Sequence, residues 1–356
     1  MKRDVVMYVS DKDLRTLSEL AYIDLDEYIG VKAPINSLGN GKVINELKVR
    51  LKKHCSSLRE EDVDTILSKW ELVHSVQHFV KNAPQKIPNN SLLDAFTFRH
   101  LIHKEQIVIA FRGSNPDDKS QWEEDMKVNL ELIFTNEIKN QTRFSQIDLA
   151  FNFVLLNLIQ AGFPNCNCCN HNHLIPIEGY DTSQLCDHSN IIYLTGHSKG
   201  GGIVQQVTYL LETLYKLRVN SVTFSATPIE GLSIVVQELI KVGALNKDFD
   251  THSILCKNYT IKRDRVLFGL RLIRFKSFYA LINNERKKHN TESSEKIPII
   301  KLVKLPFVWK REYVGEQVIL KPFRPFCIKS PIVRIKKHSL SFFDRCFSED
   351  DNIPTK

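Results

Sequence analysis

No run of about 20 apolar residues occurs in the 356-residue chain, which excludes a helical membrane span read by hydropathy. Behind the charged start Met1-Lys2-Arg3-Asp4 no apolar stretch of signal-peptide length follows. The expectation is a protein kept in the cytosol, or one exported by a route that needs no N-terminal signal. Cysteine is too sparse for a disulfide scaffold: eight residues in a chain of this size, with no secretory signal, do not read as a bridged framework. Internal repeats are lacking too, which excludes solenoids and arrays. What is present is enough apolar material (42%) to bury a sizeable core, in a length that suits one large α/β domain with insertions.

Charge is unevenly placed. The chain carries a net +8, yet residues 257–337 alone hold 21 Lys and Arg against 6 Asp and Glu. The remainder is therefore mildly acidic. A basic segment on an acidic body points either to an anionic partner or to a solvated face that keeps the protein soluble. Its aromatic residues Phe307, Trp309, Tyr313, Phe323 and Phe326 fit a peripheral contact with an anionic membrane surface better than nucleic acid.

Periodicity orders the chain. Residues 11–29 read as a helix capped by Ser10, with Leu14, Leu17, Leu20, Ala21 and Leu25 at helical spacing. Residues 36–92 read as an insertion or cap outside the core sheet, with one helical pattern from Glu60 to Val80. The core then begins near Leu93. Ala95–Arg99, Gln106–Phe111, Ile191–Thr195, Asn220–Ser225 and Lys257–Lys262 read as strands. Leu149–Ala161 and Ile203–Leu217 read as helices. Strands alternating with helices predict a mostly parallel central sheet flanked by helices. The stretch 266–337, with short β-like runs split by proline, reads as a basic, β-rich insertion of hairpins decorating that sheet. The whole of 1–356 is read as a single domain.

Chemistry concentrates at Gly196-His197-Ser198-Lys199-Gly200, which directly follows an apolar strand and directly precedes an amphipathic helix. A serine hydroxyl is a poor nucleophile and needs a base and oxyanion donors. A sharp strand-to-helix turn lifts it clear of the sheet, and its flanking positions must be small because strand and helix approach closely there. A phosphate cradle is the rival reading, but the Gly-x-x-x-x-Gly-Lys-Ser/Thr spacing is missing. Lys199 is adjacent to the serine, so its side chain points elsewhere and its backbone N–H is the expected oxyanion donor. His197 is expected to pack under the turn.

Phe111-Arg112-Gly113-Ser114, followed by Trp122 and Asp125, together with Gly-His-Ser-Lys-Gly-Gly, resembles class 3 lipases, and most of all their bacterial lipase-like relatives. The resemblance runs from about Leu93 to Ser225 and resumes around Asp264 and His338. It implies an α/β-hydrolase fold, a Ser, Asp, His catalytic order, and a second oxyanion donor at Ser114. Arg112 and Asp125 take structural roles in it. Gln121 departs from the family, which usually has Asp before the Trp.

The acid must follow a strand after the elbow. Asp264, after Asn258–Lys262, has that place, with Asp248 and Asp250 as weaker alternatives ahead of the strand. The base must come later, and His338 follows the strand-like Ile332–Ile335 and opens a helical run. His289 lies in a charged polar run and is a poor rival.

Residues 164–189 form a Cys/His-rich loop. Cys166, Cys169, Cys186 and His188 are soft and borderline ligands suited to a structural zinc, although Cys186-x-His188 is a tight spacing; a cysteine-rich loop without metal is the other reading. The serine scheme itself requires no cofactor. Taken together the residues predict a serine hydrolase of carboxylic esters acting on a lipid or other acyl ester, most readily a lipase or phospholipase. The alternatives are a soluble esterase or thioesterase, and a non-catalytic interaction protein retaining the fold.

Overall fold

The computed structural model describes residues 9–53, 60–82, 93–114, 146–160, 186–187, 191–214, 217–228, 251–261 and 313–320. The helices are α1 (Asp11–Leu20), α2 (Lys42–Lys53), α3 (Glu60–Leu67), α4 (Val76–Asn82), α5 (Gln146–Gln160) and α6 (Lys199–Leu214). The strands are β1 (Trp70–Ser75), β2 (Ala95–His100), β3 (Ile107–Phe111), β4 (Cys186–Asp187), β5 (Ile192–His197), β6 (Leu217–Arg218), β7 (Asn220–Phe224), β8 (Cys256–Ile261) and β9 (Glu316–Leu320).

Among the described residues, seven strands form one sheet in the order β1-β2-β3-β5-β7-β8-β9. The pairs β1–β2 and β2–β3 are antiparallel, and from β3 to β9 every neighbour is parallel. The sheet is thus mostly parallel, as the alternation of strands and helices predicts. Strands β4 and β6 pair separately.

The alternation of side chains along a strand sorts the core onto two faces. Val108, Ala110 and Tyr193 pack with Leu14, Leu17 and Leu20 of α1 and with the buried residues of α2 and α3. Ile107, Ile109, Ile192 and Leu194 pack with Phe153 and Val154 of α5 and with Ile203, Val204 and Val207 of α6. Both faces of β3 and β5 are covered, which is why their sequences are near-continuous apolar runs.

Helix α1 starts on a reciprocal cap: Ser10 Oγ accepts from Asp13 N–H at 3.1 Å, and Asp13 Oδ2 accepts from Ser10 N–H at 3.3 Å. It ends at Leu20, short of the 11–29 span its leucines predict. Tyr22 N–H and Ile23 N–H bond to Glu19 O and Leu20 O three residues back, tightening the chain out of the α-helix. Asp24 Oδ1 then takes the Asp26 N–H at 3.1 Å, a local turn that competes with helix.

Two further expectations are corrected. The Glu60–Val80 pattern is not one helix: Trp70–Ser75 is a strand that adds to the edge of the central sheet. Within 36–92, expected to stand outside the core sheet, Trp70–Ser75 therefore belongs to it. The apolar residues of Trp-Glu-Leu-Val fit either period, and pairing with β2 decides between them. In the basic region, expected as decorating hairpins, Glu316–Leu320 instead joins the central sheet, parallel to β8. Buried Asn258 draws it in, donating to Val314 O at 2.6 Å and Glu316 O at 3.2 Å, while Gln205 of α6 accepts from Val314 N–H at 3.1 Å. No helix among the described residues is long and apolar enough to cross a membrane.

Candidate active site

Strand β5 is central in the seven-stranded order, and its hydrogen-bonded register with β3 and β7 runs to Phe111↔Gly196 and His197↔Phe224. The carboxyl ends of three parallel strands thus meet at one edge, the usual place for a ligand site in an open α/β sheet. Strand β5 extends through His197, two residues beyond the span expected from its apolar run, and α6 begins at Lys199, earlier than expected. One residue, Ser198, makes the turn.

Ser198 has φ +54°, a left-handed conformation that an L-residue adopts at a cost. Three backbone hydrogen bonds hold it there. Its N–H donates to Phe224 O at 3.0 Å, and its carbonyl accepts from Gly202 N–H at 3.1 Å and from Thr227 N–H at 3.0 Å. Such over-determination is what allows a strained residue to persist.

The glycines around it are required by close approach. A Cβ on Gly196 would lie 2.6 Å from the Gly200 carbonyl carbon. One on Gly200 would run into the Phe111 carbonyl oxygen and lie 2.9 Å from the backbone of Arg112. Helix α6 therefore sits directly against the ends of β3 and β5, with its N-terminus at the serine.

Arg112 lies just past β3. Its N–H donates to Asp94 O at 2.9 Å and its guanidinium pairs with the Asp94 carboxylate, so it anchors the loop that carries Gly113 and Ser114. Gly113 is packed onto the elbow: a Cβ there would lie 2.5 Å from His197 O and 3.3 Å from Ser198 Cβ. Ser114, half-buried, follows at once. The Arg112–Ser114 loop and the serine turn are thus neighbours.

The buried Lys199 ammonium (1% exposed) donates to Gln146 Oε1 of α5 at 3.3 Å. His197 Nδ1 shares a hydrogen bond of 2.8 Å with the Tyr22 hydroxyl. Sequence reasoning missed Tyr22; 175 residues separate it from its partner, and no local pattern marks it. On the far side, the loop after β7 is tied to β8 by Ser225 N–H donating to Tyr259 O at 2.8 Å.

Asp264 and His338 lie outside the described residues, as do Asp248, Asp250, His289, Trp122 and Asp125. Strand β8, three residues before Asp264, runs parallel to β5 through β7, so its carboxyl end lies at the same edge as Ser198. Cys166, Cys169 and His188 also lie outside them, and Cys186 is described only as backbone of β4. Among the described residues no three His, Cys, Asp or Glu side chains come together as a metal site. Cys256 is no rival nucleophile: burial pushes its thiol up to about 12, outweighing the opposing effect of its contact with Asn258, and keeps it protonated.

No protein-family model matches the chain, and no curated protein matches it. Among solved structures it is similar to M37 lipase, at 14% identity and a TM-score of 0.37, over 93% of this chain and 91% of that one. It is also similar to extracellular lipase LipA of Serratia marcescens (16%, TM-score 0.36, 72% of this chain) and to Lip2 lipase of Yarrowia lipolytica (15%, TM-score 0.34, 73% of this chain and 74% of that one). The match spans 39% of the length of the Serratia protein. Likenesses at this level leave the function to the site's own geometry.

Proposed function

We propose that this chain is a serine hydrolase with an α/β-hydrolase fold that cleaves carboxylic esters, with lipids or phospholipids as its substrate class. The observation that carries the reading is Ser198, held at φ +54° between the central strand and a glycine-opened helix, with the Gly113 backbone against its Cβ.

Ser198 Oγ attacks the ester carbonyl carbon while His338 takes its proton, and Asp264 holds the imidazole in the required tautomer. The tetrahedral oxyanion is received by the backbone N–H groups of Lys199 and Ser114, at the N-terminus of α6 where the helix dipole favours negative charge. The carbon–oxygen bond to the leaving alcohol breaks, and His338 returns the proton to that oxygen. Water, deprotonated by His338, then releases the acid and regenerates Ser198. The placement of β8 at the same sheet edge supports Asp264, and its sequence position after β8 supports it further. No metal enters the scheme. The basic stretch 257–337 brings the site to an anionic lipid surface.

A fluorophosphonate probe tests the reading. Wild type labels at Ser198 and the Ser198→Ala variant does not. His338→Ala and Asp264→Asn each lower turnover of a short-chain ester by roughly 10⁴-fold. An unlabelled wild type, or equal labelling of Ser198→Ala, would refute it. Assay of lipid and soluble esters side by side decides the substrate class.

A further inference from the structure

We infer that Tyr22 is a positioning residue for the reaction assigned to Ser198, an inference that rests on that assignment. Tyr22 lies just past α1, far from the elbow in sequence but against it in space. Its hydroxyl shares the 2.8 Å bond with His197 Nδ1. A Cβ built on Gly113 would run into the same hydroxyl, and would lie 2.5 Å from His197 O and 3.3 Å from Ser198 Cβ. One phenol oxygen thus occupies the junction between the serine turn and the Gly113–Ser114 loop.

The other side of the ring is fixed as well. The Arg50 guanidinium carbon stands 4.3 Å from the ring centroid, and Arg50 Nε donates to buried Glu19 Oε1 at 2.5 Å. Helices α1 and α2 therefore hold the ring, and the ring holds the junction. The phenol donates to His197 when the imidazole carries its proton on Nε2.

The consequence is geometric. Oxyanion donors act only when they stand at hydrogen-bond distance from the position the oxyanion takes. The separation between Ser198 and the Gly113–Ser114 backbone is set by what fills the junction. Removing the hydroxyl leaves the ring under Arg50 but takes this partner from His197 and one atom from beside Gly113. The turn and the loop are then free to shift, which slows chemistry rather than binding.

The test uses full-length wild type, Tyr22→Phe, His197→Leu and the double variant. Fluorophosphonate labelling rates, kcat and KM on p-nitrophenyl butyrate, and thermal midpoints are measured. Tyr22→Phe is expected to lower kcat and labelling between about tenfold and 100-fold, with KM changed by less than about twofold. The double variant is expected to lose no more than the larger single loss, because both groups act through one bond. Should Tyr22→Phe not fold, His197→Leu is read alone against the same thresholds. Rates within about twofold of wild type, a loss confined to KM, or additive losses in the double variant overturn the inference. A wild type unlabelled at Ser198 overturns the hydrolase assignment and this inference with it; a labelled wild type with unchanged Tyr22→Phe overturns this inference alone.

Discussion

Replacing Ser198 by glycine and, separately, by alanine isolates the backbone strain of the elbow from its chemistry. Both variants lose the hydroxyl and should lose fluorophosphonate labelling. They differ in what φ +54° costs them. An L-residue in the left-handed region is disfavoured by roughly 1–2 kcal/mol, whereas glycine adopts it freely. Glycine gives back about 0.4–1 kcal/mol through the larger entropy of its unfolded chain. The net expectation is that Ser198→Gly is more stable than Ser198→Ala by about 1 kcal/mol. With an unfolding entropy of about 2.1 cal/mol/K per residue over 356 residues, that difference raises the thermal midpoint by about 1–2 °C. Differential scanning calorimetry of the two variants at one scan rate reads it directly. Ser225, at φ +43° in the loop that follows β7, serves as an internal control: its glycine variant should melt above its alanine variant in the same way. If Ser198→Gly melts at or below Ser198→Ala, Ser198 is not in a strained left-handed turn, and the observation carrying the proposed function is gone.

Gly200→Ala should cost at least about 1–3 kcal/mol and slow labelling, because its Cβ meets the Phe111 and Arg112 backbone, which cannot swing aside; a wild-type midpoint and labelling rate would refute the close approach. His100 supplies a pH dependence. Its Nδ1 accepts from Ile102 N–H at 3.3 Å and His103 N–H at 3.0 Å, and burial, aided by His103 and Lys69, lowers its pKa. The unfolded chain therefore takes up the proton first as pH falls below the ordinary value of about 6.5. Stability from this group is full above that value and declines below it, and His100→Asn, which keeps an acceptor for the turn but cannot titrate, should flatten this part of the urea-midpoint profile between pH 7 and 5; an unchanged slope would count against it. The basic stretch 257–337 should give binding to phosphatidylserine vesicles that weakens as salt rises, measured by flotation, and salt-insensitive or absent binding would remove the membrane contact.

The elbow was legible in the sequence because all of its requirements are local. An apolar strand, a serine with glycine two positions to each side and an amphipathic helix occur within about twenty consecutive positions, and short-range sterics make that order a sharp turn. The strands β3 and β5 were legible for the same kind of reason, since burial on both faces writes itself as an apolar run, while β2, β7 and β8 were legible as short stretches carrying β-branched and aromatic residues. Trp70–Ser75 and Glu316–Leu320 were misread because periodicity reports which faces are buried and says nothing of which strand is the neighbour. Hydrogen bonds from β2 in one case, and from Asn258 and Gln205 in the other, made those choices.

By itself, then, the sequence determined a mostly parallel α/β sheet with a serine at its central turn, and the residue types able to act there. Tertiary structure decided what stands against that serine. The Gly113 backbone, the Phe224 and Thr227 backbone partners and the Tyr22 hydroxyl come from three separate stretches of chain. Their convergence depends on the sheet order and on the helix packed over each face, and neither is encoded in any local run of residues.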